Sequence, residues 1–216
     1  MDAAEYDAWY DTPRGRWIGQ IEYRLVAALL APRPEEHILD VGCGTGWFTR
    51  RLAQMDRLRV KGVDIDTNAL DFARQHDHLA SYETADALHL PFDDGTFDRV
   101  MSVTALCFVP NWPHALSEII RVSRSRFVVG LLNRNSVLWM KKGRKGGTGA
   151  YRGAHWHTPR EILRALKTLP VTGVSLRTAV LMPSGSFAAR CVESMVGDKT
   201  SFGSFLVVAG DKADYS

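Results

Sequence analysis

The chain has 216 residues, 45% of them hydrophobic and 24% charged, the proportions of an ordinary soluble globular protein built as one domain. A net charge of +3 calls for neither a nucleic acid nor an anionic membrane as partner, and Cys43, Cys107 and Cys191 are too few and too scattered for a disulfide framework or a zinc site. The acidic start Met1-Asp2-Ala3-Ala4-Glu5 lacks a signal-peptide pattern, and no apolar run approaches the ~18–20 residues of a membrane span, so a cytoplasmic protein is expected.

In chain order, Ile18, Ile21, Leu25 and Leu29 recur at helical spacing and predict a helix over 17–31, stopped by Pro32 and Pro34. His37 to Val41 is a short apolar run flowing into glycines, hence a buried strand. A helix from Trp47 to Met55, a strand from Leu58 to Asp64 and a helix from Asn68 to Gln75 follow. Ser81 to Ala85 is a weaker strand candidate. Phe97 to Val103 is a strand, Trp112 to Val122 a helix, and Arg126 to Leu132 a strand. Strands alternating with helices argue for a parallel sheet wrapped on both faces. After Leu132, residues 141–147 read as a basic, glycine-rich loop. Pro159 to Leu169 is a helix with Thr158 as N-cap and Glu161 three positions on. Two β-rich runs, Val174 to Leu181 and Phe202 to Ala209, flank a short helix from Phe187 to Val196.

The strand that ends in Gly42-Cys43-Gly44-Thr45-Gly46 and opens a helix forms a ligand cradle. Glycines allow tight turning and close approach to the backbone, and a helix start offers N–H groups to an anionic end. The second strand ends at Asp64, placed to accept from ribose hydroxyls, with Ile65 beside it to pack on an adenine. Asp86 follows the third strand and could accept from an adenine amino group. A dinucleotide loop wants G-x-G-x-x-G. Here Trp47 stands at the last position and the third glycine comes one residue early. Asp40, two residues before the first glycine, suits an ammonium rather than a pyrophosphate. A ligand with an amino-acid end is favoured.

These motifs resemble the class I S-adenosylmethionine-dependent methyltransferases, in the broad group that includes the ubiquinone and menaquinone biosynthesis enzymes. Residues 38–46 are similar to that family's first motif, Gly62-Val63-Asp64-Ile65-Asp66 to its second, and Ala85-Asp86-Ala87-Leu88 with Leu90-Pro91-Phe92 to its third. The match runs from about Ile38 to Leu132. The resemblance implies a Rossmann-like, doubly wound α/β sheet of seven strands with the last antiparallel, and S-adenosylmethionine as cofactor. It implies that Asp40 reaches the methionine amino group and that Gly42, Cys43, Gly44 and Gly46 shape the loop. Asp64 and Ile65 would hold ribose and adenine, Asp86 and the Ala87 N–H the adenine edge, and Ser102 and Val103 would border the sulfonium. The Gly-Gly usual before the fifth strand is absent, and 122–126 stands in its place.

On the acceptor side, His155 and His157 lie two apart, so an extended segment turns both one way. Either is a candidate base, with Tyr151 and Trp156 as pocket walls; an ordinary loop is the plainer alternative. Two histidines are too few for a metal site without further ligands. The aromatic stretch Tyr6, Trp9, Tyr10, Trp17, with a turn at 12–16, reads as a lid or as a hydrophobic anchor. The expected layout is a single domain over 1–216: a helical cap over 1–34, a cofactor core over 35–134, and an acceptor side over 135–216. Methyl transfer to a small molecule is the function expected, with nucleic acid disfavoured as acceptor and no bound metal. A non-catalytic protein that binds S-adenosylmethionine or its demethylated product is the alternative, and an NAD(P)-dependent oxidoreductase the weaker one. Neither the acceptor nor the oligomeric state is legible.

Overall fold

The computed structural model describes residues 2–196 and 200–213. The chain opens with α1 (Ala3–Trp9) and α2 (Pro13–Leu30). Asp2 caps α1 by accepting the Glu5 N–H at 2.7 Å, with Glu5 returning the bond in a capping box. Thr12 caps α2 and Pro13 fills its first position, where no N–H is needed. The expected 12–16 turn is therefore the first turn of the helix, and the chain bends ahead of it. The C-cap Ala31 turns left-handed at φ 47° before Pro32.

The core alternates as expected: β1 (His37–Val41), α3 (Trp47–Ala53), β2 (Arg59–Asp64), α4 (Thr67–His76), β3 (Ser81–Thr84), β4 (Phe97–Val103), α5 (Trp112–Val122) and β5 (Ser123–Leu132). Then come α6 (Pro159–Leu166), β6 (Val171–Ala179), α7 (Phe187–Val196) and β7 (Phe205–Lys212). Seven strands form one sheet in the order β3-β2-β1-β4-β5-β7-β6, in which β7 runs antiparallel to both neighbours. This is the doubly wound, Rossmann-like arrangement that the resemblance implies.

Two apolar layers close on the sheet. Leu116, Ile119 and Ile120 of α5 and Ile162 and Leu166 of α6 pack with Val100, Phe127 and Val129. On the other face Val26 and Leu30 of α2 and Phe48 and Leu52 of α3 pack with Ile38, Met101 and Val128. These strand residues alternate because successive side chains leave a strand on opposite faces.

Several boundaries differ from the sequence reading, each for a local reason. Residue 123 follows α5 directly into β5, so no glycine turn is needed there. β6 stops at Ala179 because Val180 turns to φ 61°, and Glu193 of α7 accepts the N–H groups of Val180 and Leu181, both at 2.7 Å. β7 starts three residues later than expected because Asn133 Nδ2 takes the carbonyls of Ser201 and Gly203 at 3.0 and 2.7 Å. The basic segment after Leu138 is not a plain loop: it carries three short helical turns, at Trp139–Gly143, Arg144–Gly146 and Gly149–Tyr151.

Candidate active site

The winding direction reverses between β1 and β4, which are neighbours in the sheet. The loops leaving their carboxyl ends must diverge there, and an open α/β sheet leaves its crevice at such a point. A cavity of about 590 Å³ occupies it. Its lining comes from the loops after β1, β2, β3 and β4, with Tyr6 and Tyr10 closing over it from the N-terminal segment.

Asp40 sits at the floor of this cavity with 2% of its surface exposed. Thr49 Oγ1 donates to Oδ2 at 2.7 Å, while Oδ1 is buried without a hydrogen-bond partner. Burial, joined by the charge of Asp64 and opposed by the Thr49 bond, raises its carboxyl from 3.8 to about 7. A buried acceptor with nothing to accept from is costly, and an ammonium entering the cavity would satisfy it.

The glycine loop owes its shape to two positions. Gly42 has φ 73°, and a Cβ there would come within 2.1 Å of Ala105 Cβ, so the loops after β1 and β4 touch backbone to side chain. Gly44 has φ 54°, and a Cβ there would meet nothing within 4 Å. The cavity therefore reaches the bare backbone at Gly44. Asp64 pins the loop by accepting the Gly44 N–H on Oδ2 at 2.7 Å and the Asp66 N–H on Oδ1 at 2.9 Å. Ile65 lines the cavity with 69% of its surface exposed, an apolar face awaiting a partner. Asp86 and Ala87 line it too, Asp86 Oδ1 accepting the Leu88 N–H at 2.9 Å. Cys43 also lines it. Burial, then the charges of Asp40 and Asp64, hold its thiol well above the usual range, so it is a neutral filler and not a nucleophile.

Four of the expected site residues do not line the cavity. Gly46 is the left-handed N-cap of α3, packed against the Tyr82 hydroxyl beneath the loop. Ser102 is fully buried in the sheet, and its neighbours Val103, Thr104 and Ala105 line the cavity instead. The histidines lie elsewhere. His157 donates its backbone N–H to Leu132 O at 2.8 Å, and its carbonyl accepts from Arg134 N, which extends the end of β5. Its ring is fully buried against Trp112, with both nitrogens unpartnered. Burial, then the neighbouring His155, lowers it to about 3. His155 is half-exposed and bonds Glu161 Oε1 through Nε2 at 2.8 Å. Spacing predicts that the two rings share a side, and they do at 4.5 Å, but that side lines neither this cavity nor the one beside it. Glu161 brings a carboxylate oxygen within 4.8 Å of ring nitrogens of both histidines, a neighbour that the spacing of two histidines did not reveal. Its other oxygen is engaged in capping α6.

A second cavity, of about 340 Å³, adjoins the first. Tyr6, Tyr10, Val103, Thr104 and Phe108 line both and form the shared wall. Thr104 is held at φ 60°, a conformation costly for a β-branched residue, at the point where β4 turns into that wall. Tyr151 lines the second cavity, while Trp156 is buried in the core. Glu22 lines it from α2, with no hydrogen bond or ion pair to its carboxylate among the described residues. Burial raises this carboxyl from 4.5 to about 8. Sequence reasoning missed it, although the signal is there: Glu22 falls four residues after Ile18 and four before Val26, both buried, so an acid interrupts the apolar stripe.

The aromatic N-terminal segment is both an anchor and a wall. Tyr10, 6% exposed, stacks on Trp47 with centroids 4.1 Å apart, and Arg51 lies over the Trp47 ring at 3.5 Å. Asp7 accepts from Thr45 Oγ1 at 2.8 Å and from Arg50 Nη2 at 2.8 and 3.0 Å, which ties α1 to the glycine loop. The tryptophan that breaks the dinucleotide fingerprint is thus the platform on which the cap rests.

Residues 39–127 match the family described as a methyltransferase domain. An uncharacterized protein of Mycobacterium tuberculosis is 31% identical over 190 residues, covering 85% of this chain and 63% of the relative, so the chain spans under two thirds of that relative's length. A solved S-adenosylmethionine-dependent methyltransferase of Thermotoga maritima superposes with a TM-score of 0.75 at 22% identity, covering 97% of this chain and 95% of the other. The geranyl diphosphate C-methyltransferase of Streptomyces coelicolor gives 0.70 at 20% identity, over 92% and 80%. The match does not single out the ubiquinone and menaquinone enzymes. Residues 39–127 thus match the methyltransferase-domain family, and the chain around them has the sheet topology and the fold of S-adenosylmethionine-dependent methyltransferases.

Proposed function

We propose that the protein is an S-adenosylmethionine-dependent methyltransferase whose acceptor is a small molecule seated in the second cavity. The observation that carries this reading is the wall shared by the two cavities at Tyr6, Tyr10, Val103, Thr104 and Phe108. A donor in the first and an acceptor in the second would meet there in line.

The residues of the first cavity suit the cofactor. Asp40 offers its unpartnered Oδ1 to the methionine ammonium, Gly42 and Gly44 give passage along the backbone, and Asp64 faces the ribose. Ile65, Asp86 and the Ala87 N–H take the adenine. When bound, the cofactor supplies an already activated methyl group on a sulfonium. The protein's share is then alignment and exclusion of water, worth up to roughly 7–11 kcal/mol in favourable cases. No helix among the described residues is long and apolar enough to cross a membrane.

The test is transfer of radiolabelled methyl from S-adenosylmethionine into a small-molecule fraction, run beside calorimetry with the cofactor. Label in small molecules supports the reading. Tight cofactor binding with no label in varied acceptors would make the chain a binding protein without turnover. A thermal shift with NAD(P) and none with S-adenosylmethionine would replace the reading with an oxidoreductase.

Two further expectations arise at this site. Asp64→Ala should weaken cofactor binding by about 1.5–3 kcal/mol, the value of hydrogen bonds to a charged group, and loosen the loop it pins through Gly44. Unchanged calorimetric affinity would remove Asp64 from the site. Residues 1–34 act as a cap in this reading, and Asp7→Ala should free α1 by breaking its bonds to Thr45 and Arg50. The α1 amides should then exchange with solvent roughly tenfold faster, as expected for losing at least one bond of about 1.5 kcal/mol. Unaltered exchange would show that stacking on Trp47 alone holds the cap.

A further inference from the structure

The second cavity combines two features that a neutral acceptor does not need. Its walls are rich in aromatic rings, with Tyr6, Trp9, Tyr10, Phe108 and Tyr151 drawn from three separate segments of the chain. Among them stands the carboxylate of Glu22, with neither a hydrogen bond nor an ion pair to balance it among the described residues. Tyr6, Tyr10 and Tyr151 each have their phenol raised chiefly by burial, with the charge of Glu22 among the further causes, so all three rings lie within its field. Aromatic rings around one carboxylate suit a cation that is itself partly apolar, because ring quadrupoles and the carboxylate attract the same sign of charge. The cations that the protein itself contributes to this lining, Arg14 and Lys142, are both exposed residues, and Arg14 Nε is committed to the Pro183 carbonyl at 2.6 Å.

We infer that the second cavity recognises an organic ammonium group, held between Glu22 and the surrounding tyrosines, and that the methyl acceptor is an amine of small apolar or aromatic character, whose nitrogen passes a proton to the Glu22 carboxylate before its lone pair takes the methyl group and S-adenosylhomocysteine leaves. This deepens the methyltransferase reading and rests on it for the word acceptor; the cation site itself stands on the cavity alone. A volume of about 340 Å³ suits a small aryl-alkyl amine and is small for a polymer segment.

The test uses the full chain and two probes of similar size, benzyltrimethylammonium, whose charge does not titrate, and 2-phenylethanol. Binding is measured by calorimetry with and without S-adenosylhomocysteine. The ammonium probe should bind at least tenfold more tightly than the alcohol. Because the free carboxyl titrates near 8, that preference should grow between pH 6.5 and pH 9. Tyr6, Tyr10 and Tyr151, raised above their ordinary range, face the same space and stay neutral over that interval, and Arg14 and Lys142 are the cations in the lining. Glu22→Gln should abolish both the preference and its pH dependence while leaving S-adenosylhomocysteine affinity unchanged.

Equal affinity for the two probes, or no binding of either, overturns the inference. So does a Glu22→Gln protein that keeps the cation preference, or one that loses affinity for S-adenosylmethionine but not for S-adenosylhomocysteine. In the latter case Glu22 would serve the sulfonium and not the acceptor. Loss of S-adenosylhomocysteine binding by the unaltered protein would instead sink the cofactor reading, and the two failures are told apart in the same set of titrations.

Discussion

Asp40→Asn should weaken binding of S-adenosylmethionine by about 3 kcal/mol or more, a hundredfold or greater rise in Kd, because it removes one member of a buried ion pair. The change is close to isosteric, and the amide oxygen can still accept from Thr49, so the floor of the cavity need not collapse. The pH dependence makes the prediction specific. In the free protein the carboxyl titrates near 7, and an ammonium beside it pulls that value down. Affinity should therefore climb several-fold between pH 6 and pH 7.5 in the unaltered protein and stay flat in Asp40→Asn. Stability of the free protein runs the other way. A carboxyl raised from 3.8 to about 7 contributes its full share at pH values below its unfolded pKa, and that share is lost as pH rises through 7. Asp40→Asn should thus melt at a higher temperature than the unaltered protein at pH 8, and at a similar temperature at pH 4. A flat affinity profile in the unaltered protein would show that the ammonium sits elsewhere.

How much of this was legible beforehand follows from the range of the interactions. The loop from Gly42 to Gly46 and the acids at 40, 64 and 86 are local signals, since a strand end and its turn are written in consecutive residues. The structure brings 40, 64 and 86 to one cavity. Alternating strands and helices imply a parallel sheet covered on both faces, so the doubly wound sheet was legible as well. What failed was orientation. His155 and His157 do share a side, but the pairing of residue 157 with residues 132 and 134 at the end of β5 decides which side, and that contact is far beyond the reach of local sequence pattern. Ser102 and Val103 both lie at the end of β4, yet the pleat sends one into the sheet and the other to the cavity. Glu22 was hidden by a prior that fits most helices, in which an acid between apolar positions faces water. Here the neighbouring surface is a cavity closed by Tyr6, Tyr10 and Tyr151, which the pattern of α2 alone does not encode.

The second large effect concerns the contact that joins the two loops at the switch point. Gly42→Ala should destabilise the protein by about 2–5 kcal/mol, from a left-handed backbone costing roughly 1–2 kcal/mol in a non-glycine residue and an overpacked contact costing roughly 1–3 kcal/mol. The backbone part arises from φ 73°, and the packing part from a Cβ placed 2.1 Å from Ala105 Cβ. The two parts can be separated. Ala105→Gly removes the partner atom, so in the double variant the packing part should vanish and the backbone part remain. Urea melts of the four proteins should give a favourable coupling of about 1–3 kcal/mol. Since Gly42 and Ala105 both line the first cavity, the double variant should also regain cofactor affinity that Gly42→Ala loses. A coupling near zero would mean that the loops after β1 and β4 move apart freely when crowded. Their close approach would then not fix the geometry at the wall where the two cavities meet.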